Sequence, residues 1–204
     1  MPKHGTFLRN RLLTRPAGGG EGAGGEEGGE AWLLPTYSAA GPSSSQHSTL
    51  HVSKDRGSTW AEADFPKSSF LVQPSIIPTP GGGGGLLTFF RDRRASWVYA
   101  ASSGDGGTSW SPPLATVIPN NNAGIEAMAL ASGAVAIVFN NARRGRTPLS
   151  IALSKDGGGT WPFVRDLEDA NSRPSPSPEA PAGVREAASG RPPLLEAPGA
   201  GAGG

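Results

Sequence analysis

The stretch SGDGGTSW at residues 103–110 decides the fold, because two further octets repeat it: SKDRGSTW at 53–60 and SKDGGGTW at 154–161. All three octets follow the pattern S-x-D-x-G-x-[TS]-W. Their aspartates, Asp55, Asp105 and Asp156, lie 50 and 51 residues apart. Three matches at so even a period indicate an internal structural repeat.

The octet has the composition of a tight turn that leads into a strand. Aspartate tolerates turn geometry, glycine supplies positive φ, and tryptophan offers a large apolar surface to a neighbouring repeat. Alternatively, each aspartate is a metal ligand or a catalytic acid, although identical residues repeated on one turn favour the structural role. The recurring positions are Ser53, Asp55, Gly57, Trp60, Ser103, Asp105, Gly107, Trp110, Ser154, Asp156, Gly158 and Trp161.

Each octet lies within the same order of short runs rich in β-branched and aromatic residues. The second repeat contains LVQPSIIPT, LLTFFRD, WVYAASS and SWSPPLATVI, with turn residues between the runs. Four short strands per repeat of about fifty residues are typical of a β-propeller blade. We therefore predict an all-β fold with about three propeller blades, at residues 5–66, 70–118 and 122–168.

Two stretches differ from the blades in composition. The insert PAGGGEGAGGEEGGE at 16–30 and the Pro/Ala/Gly-rich tail at 169–204 have little apolar surface to bury. Chains of this composition do not form a packed core, so we predict that both stretches are disordered. A G-x-G-x-x-G match at 20–25 has no strand before it and no helix after it, so we interpret it as a chance match.

The overall composition excludes several classes of protein. The 204 residues include 31 glycines, 20 prolines and no cysteine, and Lys+Arg 18 against Asp+Glu 17 gives a formal net charge of +1. A cysteine-ligated metal site and a coiled coil are excluded, and we predict no metal and no cofactor. No apolar run approaches the ~18 residues of a membrane span, and no basic excess favours nucleic-acid binding. The cellular compartment stays open.

Polar residues gather at the predicted end of the blades opposite the octets. Connections in an antiparallel meander alternate between the two ends of the sheet, so the second-to-third loops and the blade connections share this end. These segments contain Arg9, Gln73, Arg91, Arg93, Arg94, Asn120, Asn121, Asn122, Glu126, Arg143, Arg144 and Arg146. Because a guanidinium matches a carboxylate in two-point contact, we expect a small anionic ligand here. The alternative is that these arginines are simply solvated charges on exposed loops and that some of them pair with Asp92.

The octets resemble the Asp boxes, or BNR repeats, of the sialidase (neuraminidase) superfamily. QPSII, LLTFFRDRR and YAASSGDGGTSWSPP look like successive parts of a sialidase repeat, and NNNAGIEAMALASGAVAIVFNNARRGRTPLSIALSKDGGGTW is similar to the next one. FLRN and AWLLPTYS resemble an upstream blade, interrupted by the insert. The resemblance covers about residues 5–168 and implies part of a six-bladed propeller that removes terminal sialic acids.

The resemblance also implies roles for individual residues. Three arginines of a sialidase hold the substrate carboxylate, and Arg91 matches the second and Arg146 the third by position; Asn122 lies beside them as a further substrate-binding candidate. The position of the activating glutamate most resembles Gln73, which cannot act as a base. The nucleophilic tyrosine would follow the third octet, where the chain reads DANSRPSPSPEAP instead. Tyr37 and Tyr99 are the only tyrosines.

These departures shape the functional expectation. We predict a sialidase-like glycoside hydrolase domain of the exo-α-sialidase type, incomplete and inactive as this chain alone, with no identifiable catalytic residue. Its partners would be a small acidic sugar or glycoconjugate and, as a further option, a polypeptide that supplies the missing blades. The alternative function is a non-catalytic Asp-box propeller that binds carbohydrate or protein.

Overall fold

The computed structural model describes residues 5–16 and 29–168, and the strands of these segments form three antiparallel sheets. The first sheet has five strands. The second and third sheets have four strands each, and in these two sheets neighbouring strands follow one another in the sequence. A short 3-10 turn, Ser43–Ser45, lies between strands of the first sheet. The predicted tail at 169–204 and most of the predicted insert at 16–30 lie outside the described residues.

Thirteen strands make up the three sheets. The first sheet contains β1 (Thr6–Phe7), β2 (Leu13–Pro16), β3 (Glu30–Ser38), β4 (Ser48–Ser53) and β5 (Ala61–Asp64). The second contains β6 (Leu71–Pro78), β7 (Leu86–Asp92), β8 (Trp97–Ser103) and β9 (Leu114–Pro119). The third contains β10 (Glu126–Ala129), β11 (Val135–Asn140), β12 (Leu149–Ser154) and β13 (Phe163–Asp166).

Two apolar clusters hold neighbouring sheets together. Phe89 of β7 belongs to a cluster with Ile137 of β11 and Trp161, which joins the second sheet to the third. Leu33 of β3 and Phe90 of β7 belong to the other cluster, which joins the first sheet to the second. Phe89 and Phe90 are adjacent, and successive side chains of a strand point to opposite faces. The second sheet is therefore covered on both faces and is the middle layer.

Each Asp-box octet forms the turn between the third and fourth long strands of its sheet. In the third octet, Ser154 Oγ donates to Asp156 Oδ1 at 2.7 Å and accepts the N–H of Gly158 at 2.8 Å. Asp156 Oδ1 also accepts the N–H of Thr160 at 2.8 Å. The same bonds recur at Asp55 and Asp105. The carboxylate thus closes the turn, which is the structural role that the repetition favoured.

The octets also connect the sheets. Trp110 of the second octet packs against Phe65 at the end of the first sheet, with ring centroids 4.8 Å apart. Trp161 of the third octet packs edge-on against Phe89 of the second sheet, with centroids 5.9 Å apart. Gly158 has φ +96°, and a Cβ there would lie 3.1 Å from Phe89, so the close approach requires glycine. Each of these two octets therefore contacts the sheet that precedes it.

The predicted all-β class, with three successive blade-like antiparallel sheets, is confirmed. The segment TFLRNRLL at residues 6–13 does not form one continuous strand. It divides into β1 and β2, which both pair with β3, and residues between them leave the sheet. No helix in the described part of the chain is long and apolar enough to cross a membrane.

Candidate functional site

Three equivalent strand ends lie at the end of the sheets opposite the octets. The octet serine Ser53 pairs with Trp32 of β3, and Tyr37 lies five residues after Trp32. In the second and third sheets, Arg91 and Asn140 likewise lie five residues after the strand partner of the octet serine. Tyr37, Arg91 and Asn140 thus occupy one structural position in three successive sheets. Loops and strand ends of a rigid scaffold are the usual places for binding residues.

Gln73 sits at an irregularity in the first strand of the second sheet. The register between β6 and β7 shifts between Val72 and Ser75, and Gln73 has φ +54°. Positive φ is rare for a residue with a Cβ and is concentrated at functional sites, as are β-bulges. Asn10, from the segment between β1 and β2, donates through Nδ2 to the Gln73 carbonyl at 3.0 Å and holds the bulge in place.

Arg91 is held by two neutral oxygen acceptors. Its Nη1 donates to Gln73 Oε1 at 3.1 Å, and its Nε donates to Asn122 Oδ1 at 2.8 Å. Among the described residues, no carboxylate forms an ion pair with Arg91. The two amides orient the guanidinium without neutralising it, so its charge is available to an anion.

The electrostatic surroundings of Arg91 are strongly positive. Burial lowers the pKa of Arg91 to about 10, and the charges of Arg93, Arg146 and Arg9 act in the same direction, while Tyr37 opposes them. Arg91 stays protonated at neutral pH even so. A half-buried cation among other cations is stabilised by any anion that binds beside it.

A buried amide, Asn120, joins the two loops that form the site. Its Oδ1 accepts the N–H of Asp92 at 3.2 Å and the N–H of Asn122 at 3.1 Å. Its Nδ2 donates to the Ala123 carbonyl at 3.0 Å. Asn122 is thereby held at φ +59° with its side chain on Arg91. Asn120 is a positioning residue that fixes the distance between the loops.

Two of the arginines expected at this end have partners of their own. Arg94 forms an ion pair with Asp92, 2.8 Å from Nε to Oδ1, and also covers the rings of Phe70 and Tyr99. Arg143 lies over the Trp97 ring, 4.3 Å from its centroid. A buried carboxylate and aromatic rings thus hold these two arginines, and the pairing of Arg94 with Asp92 agrees with the alternative that the sequence left open.

The remaining candidates surround Arg91 at different depths. Arg146 is exposed, and its carbonyl accepts Asn140 Nδ2 at 2.6 Å. Arg93 is half-buried, and its Nε is buried without a hydrogen-bond partner among the described residues. Arg9 Nη1 reaches the Ile125 carbonyl at 3.4 Å. Three separate segments therefore bring positive charge towards Arg91.

Tyr37 belongs to this group, although the sequence pattern did not single it out as a site residue. Gln73 Nε2 donates to the Tyr37 hydroxyl at 3.3 Å, so the phenol accepts from the amide and keeps its own proton for another partner. Its ring packs near Phe7, with centroids 5.9 Å apart. Tyr99 instead lies in the strand before the second octet, packed against the core.

Glu126 contributes to a contact between the second and third sheets. Ser75 Oγ donates to Glu126 Oε1 at 3.2 Å and accepts the Ala127 N–H at 2.9 Å, a bridge between the first strands of the second and third sheets. Within residues 5–16 and 29–168, no group of three His, Asp or Glu side chains could hold a metal ion. The arrangement at Arg91 brings a guanidinium, two amides and a phenol together.

Comparison with solved structures places the fold among sialidases. The Hadza microbial sialidase Hz136 matches with a TM-score of 0.58 and 20% identity, over 69% of this chain and 28% of that one. The NanB sialidase from Streptococcus pneumoniae matches with a TM-score of 0.54 and 22% identity, over 67% of this chain and 22% of that one. At this level of identity the likeness shows the fold alone.

A third structure is the intramolecular trans-sialidase from Ruminococcus gnavus, solved with oseltamivir carboxylate. It matches with a TM-score of 0.53 and 21% identity, over 68% of this chain and 31% of that one. The chain thus spans less than a third of each of these three proteins. No curated protein sequence matches it.

The sequence itself matches one family over most of its length. The BNR repeat-like domain family matches residues 26–188, a stretch that includes all three Asp-box octets and the second and third sheets in full. The match agrees with the repeat, with the antiparallel sheets and with the sialidase structures. The chain therefore belongs to the BNR repeat-like domain family, in a sialidase-like form.

Proposed function

We propose that the domain binds a carboxylate-bearing sugar of the sialic acid class and that Arg91 holds the carboxylate. The observation that carries this proposal is a guanidinium fixed by Gln73 and Asn122 with no carboxylate partner in the described chain. A half-buried positive charge without a counter-ion is costly unless an anion completes the site. A planar carboxylate is the anion that matches its remaining donors.

The neighbouring residues fit a sugar acid better than a bare ion. Arg146 adds a second, more exposed positive charge, as the sialidase resemblance implies. Tyr37 offers a free phenolic proton, and Phe7 next to it offers an exposed apolar ring. Hydroxyl groups and an apolar face occur together on a sugar, and such sites combine a few polar contacts with an aromatic surface. The solved neighbour with oseltamivir carboxylate supports the same class of ligand.

Binding without hydrolysis is the activity we propose for residues 1–204. Gln73 stands where the resemblance expects a glutamate, and an amide cannot remove a proton from a phenol. Gln73 donates a hydrogen bond to the Tyr37 hydroxyl, so it does not act on this tyrosine as a base. The residues around Arg91 therefore bind and orient a ligand.

Isothermal titration of the chain with N-acetylneuraminic acid tests the proposal. We expect saturable binding that Arg91→Ala weakens by roughly 10- to 100-fold, the effect of one charged hydrogen-bonding group. Arg56→Ala is the matched control, because it removes the same charge from an octet at the other end of the sheets. Equal affinity for the two variants, or no binding by the unaltered chain, would contradict the proposal.

Hydrolysis of sialosides is the second candidate function, for an assembly in which further blades complete the propeller. It is favoured by the length of the solved sialidases, of which this chain covers 28% or less in the Hz136 and NanB proteins. Release of a fluorogenic aglycone from a sialoside measures it. Turnover that survives Arg146→Ala would count against the assigned substrate site.

A further inference from the structure

The three octet tryptophans are chemically equivalent but differ in their surroundings. Trp110 is 7% exposed and Trp161 is 2% exposed, because each packs on the sheet before its own. Trp60 of the first octet is 38% exposed, although its Nε1 makes the same bond to the octet glycine carbonyl. The octet tryptophan is thus buried against a neighbouring sheet in the second and third repeats, and it is partly exposed in the first.

The third sheet has a matching free face. Its buried row of paired residues, Ala127, Ile137, Ala152 and Val164, points towards the second sheet. The next row therefore points away from it, because adjacent side chains of a strand alternate between faces. This row consists of Met128, Ala136, Leu153 and Phe163. Met128 is 44% exposed and Phe163 is 50% exposed, so the row ends in uncovered apolar side chains.

The free face of the third sheet has apolar residues at the positions equivalent to those that contact an octet tryptophan on the second sheet. Phe89, which contacts Trp161, pairs with Ala100, the third residue before the octet serine. In the third sheet the equivalent pair is Val138 and Ile151. Both are apolar and only partly buried. A tryptophan octet would therefore find on the third sheet the same kind of surface that the second sheet offers to Trp161.

The two free faces also carry charges of opposite sign at their outer strands, β5 and β13. Glu62 and Asp64 of β5 lie on the face of the first sheet that points away from the second, because Glu62 shares a cross-strand row with His51 and Leu34. On the free face of the third sheet, Arg165 of β13 pairs with Ile151. Glu126 of β10 stands in the same cross-strand row, but its carboxylate is held by Ser75 of the second sheet. Lys155 lies over the Phe163 ring at 5.1 Å. Complementary charges of this kind orient two surfaces towards each other.

We propose that a second copy of this chain covers these faces, with Trp60 of each copy packed on the free face of the third sheet of the other. The contact continues, between copies, the packing that Trp110 and Trp161 make within one copy. Each copy carries one face of each kind, so two copies joined head to tail satisfy both contacts in a closed pair. The inference is independent of what binds at Arg91.

Sedimentation equilibrium of the 204-residue chain tests the pair. We expect a reversible dimer at about 100 µM, and Trp60→Ala should weaken the association by roughly 10-fold or more, as for a central aromatic of an interface. Leu114→Ala is the control, because Leu114 is a similarly exposed apolar residue on the middle sheet. A monomer at this concentration, or an open-ended series of larger species, would overturn the proposal and leave a different polypeptide as the occupant.

Charge reversal gives a second test that does not depend on the tryptophan. Glu62→Lys with Asp64→Lys makes both faces positive, and Lys155→Glu with Arg165→Glu makes both negative. Each pair of changes should weaken the dimer by roughly 10-fold, and all four together should restore it. Failure of the fourfold variant to associate, with an unchanged circular dichroism spectrum, would overturn the pairing of these two faces.

Discussion

Replacing the amide of Gln73 by a carboxylate tests the electrostatic logic of the site with a nearly isosteric change. Gln73 Oε1 lies 3.1 Å from Arg91 Nη1, so Gln73→Glu would create an ion pair where a neutral hydrogen bond now stands. The new charge neutralises the guanidinium that we assign to the ligand carboxylate. It also places one anion close to another. The affinity for a carboxylate ligand should therefore fall.

The size of this effect follows from Coulomb's law. Two carboxylates on one guanidinium lie about 6 Å apart, which gives almost 3 kcal/mol of repulsion at an effective dielectric constant of about 20. The site is half-buried, and solvent screening reduces this to about 1–2 kcal/mol, or roughly a 5- to 30-fold weaker dissociation constant. Thermal unfolding should change little, because the carboxylate gains a partner as it appears.

Titration calorimetry at low salt with N-acetylneuraminic acid measures the change, and the same titration at high salt should reduce the difference between the variants. Asn122→Asp alters the other acceptor of Arg91 and should act in the same direction. Unchanged or tighter binding by Gln73→Glu would refute the reasoning that a neutral amide keeps Arg91 available. Sialoside hydrolysis gained by this variant would refute it as well.

Three further predictions concern the fold and the site. Trp161→Ala removes a buried side chain from the second-to-third sheet contact and should cost about 3–5 kcal/mol of unfolding free energy, measured by urea denaturation. Tyr37→Phe removes one hydroxyl contact and should weaken ligand binding by roughly 2- to 10-fold in calorimetry without lowering the melting temperature. Hydrogen bonds from Thr59 and Ser53 lower the pKa of Asp55 to about 2. The contribution of this carboxylate to stability is therefore present above about pH 4 and lost towards pH 2. Asp55→Asn should make the urea midpoint less dependent on pH over that range.

The other two Asp-box carboxylates add to the acid sensitivity. Burial acts to raise the pKa of Asp105, but hydrogen bonds from Ser109 outweigh it, and the pKa is lowered. The same balance holds at Asp156, where Thr160 is the main donor. Because each folded-state pKa lies below its ordinary value, all three octets lose stabilising bonds as the pH falls below about 4. A chain with all three octets intact should therefore unfold cooperatively in acid.

The repeat made the architecture predictable because one local motif fixes both a turn and a packing contact. An octet with Asp, Gly and Trp determines where the third strand ends and where the fourth begins, and its period fixes the size of the sheet. The first sheet was harder to predict. Leu8 and Leu12 look like strand residues in the sequence, but they lie exposed between β1 and β2, where Asn10 turns inward to the Gln73 carbonyl.

The site was predictable in part for a related reason. Arg91 and Gln73 lie near strand ends and Asn122 lies in a blade connection, and the strand order assigns all three to one end of the sheets. Their side chains contact one another in the structure. Tyr37 was missed because its equivalence to Arg91 is visible only through strand register. The segment between Tyr37 and its octet is longer than the segment between Arg91 and its octet. An alignment of the sequence repeats on their octets therefore does not place Tyr37 and Arg91 at the same position. The sequence left the pairing of Arg94 with Asp92 as an alternative, because the burial of Asp92 depends on tertiary packing.

The measurement that tests the central claim most directly compares N-acetylneuraminic acid with its methyl ester in titrations of the unaltered chain. The two ligands share every hydroxyl group and the acetamido group, and they differ in the negative charge that Arg91 is proposed to hold. We expect saturable binding of the acid and affinity for the ester that is weaker by roughly 10-fold or more. Equal affinity for the two ligands would show that the charge of Arg91 does not select the ligand, and it would contradict the proposed role of this guanidinium.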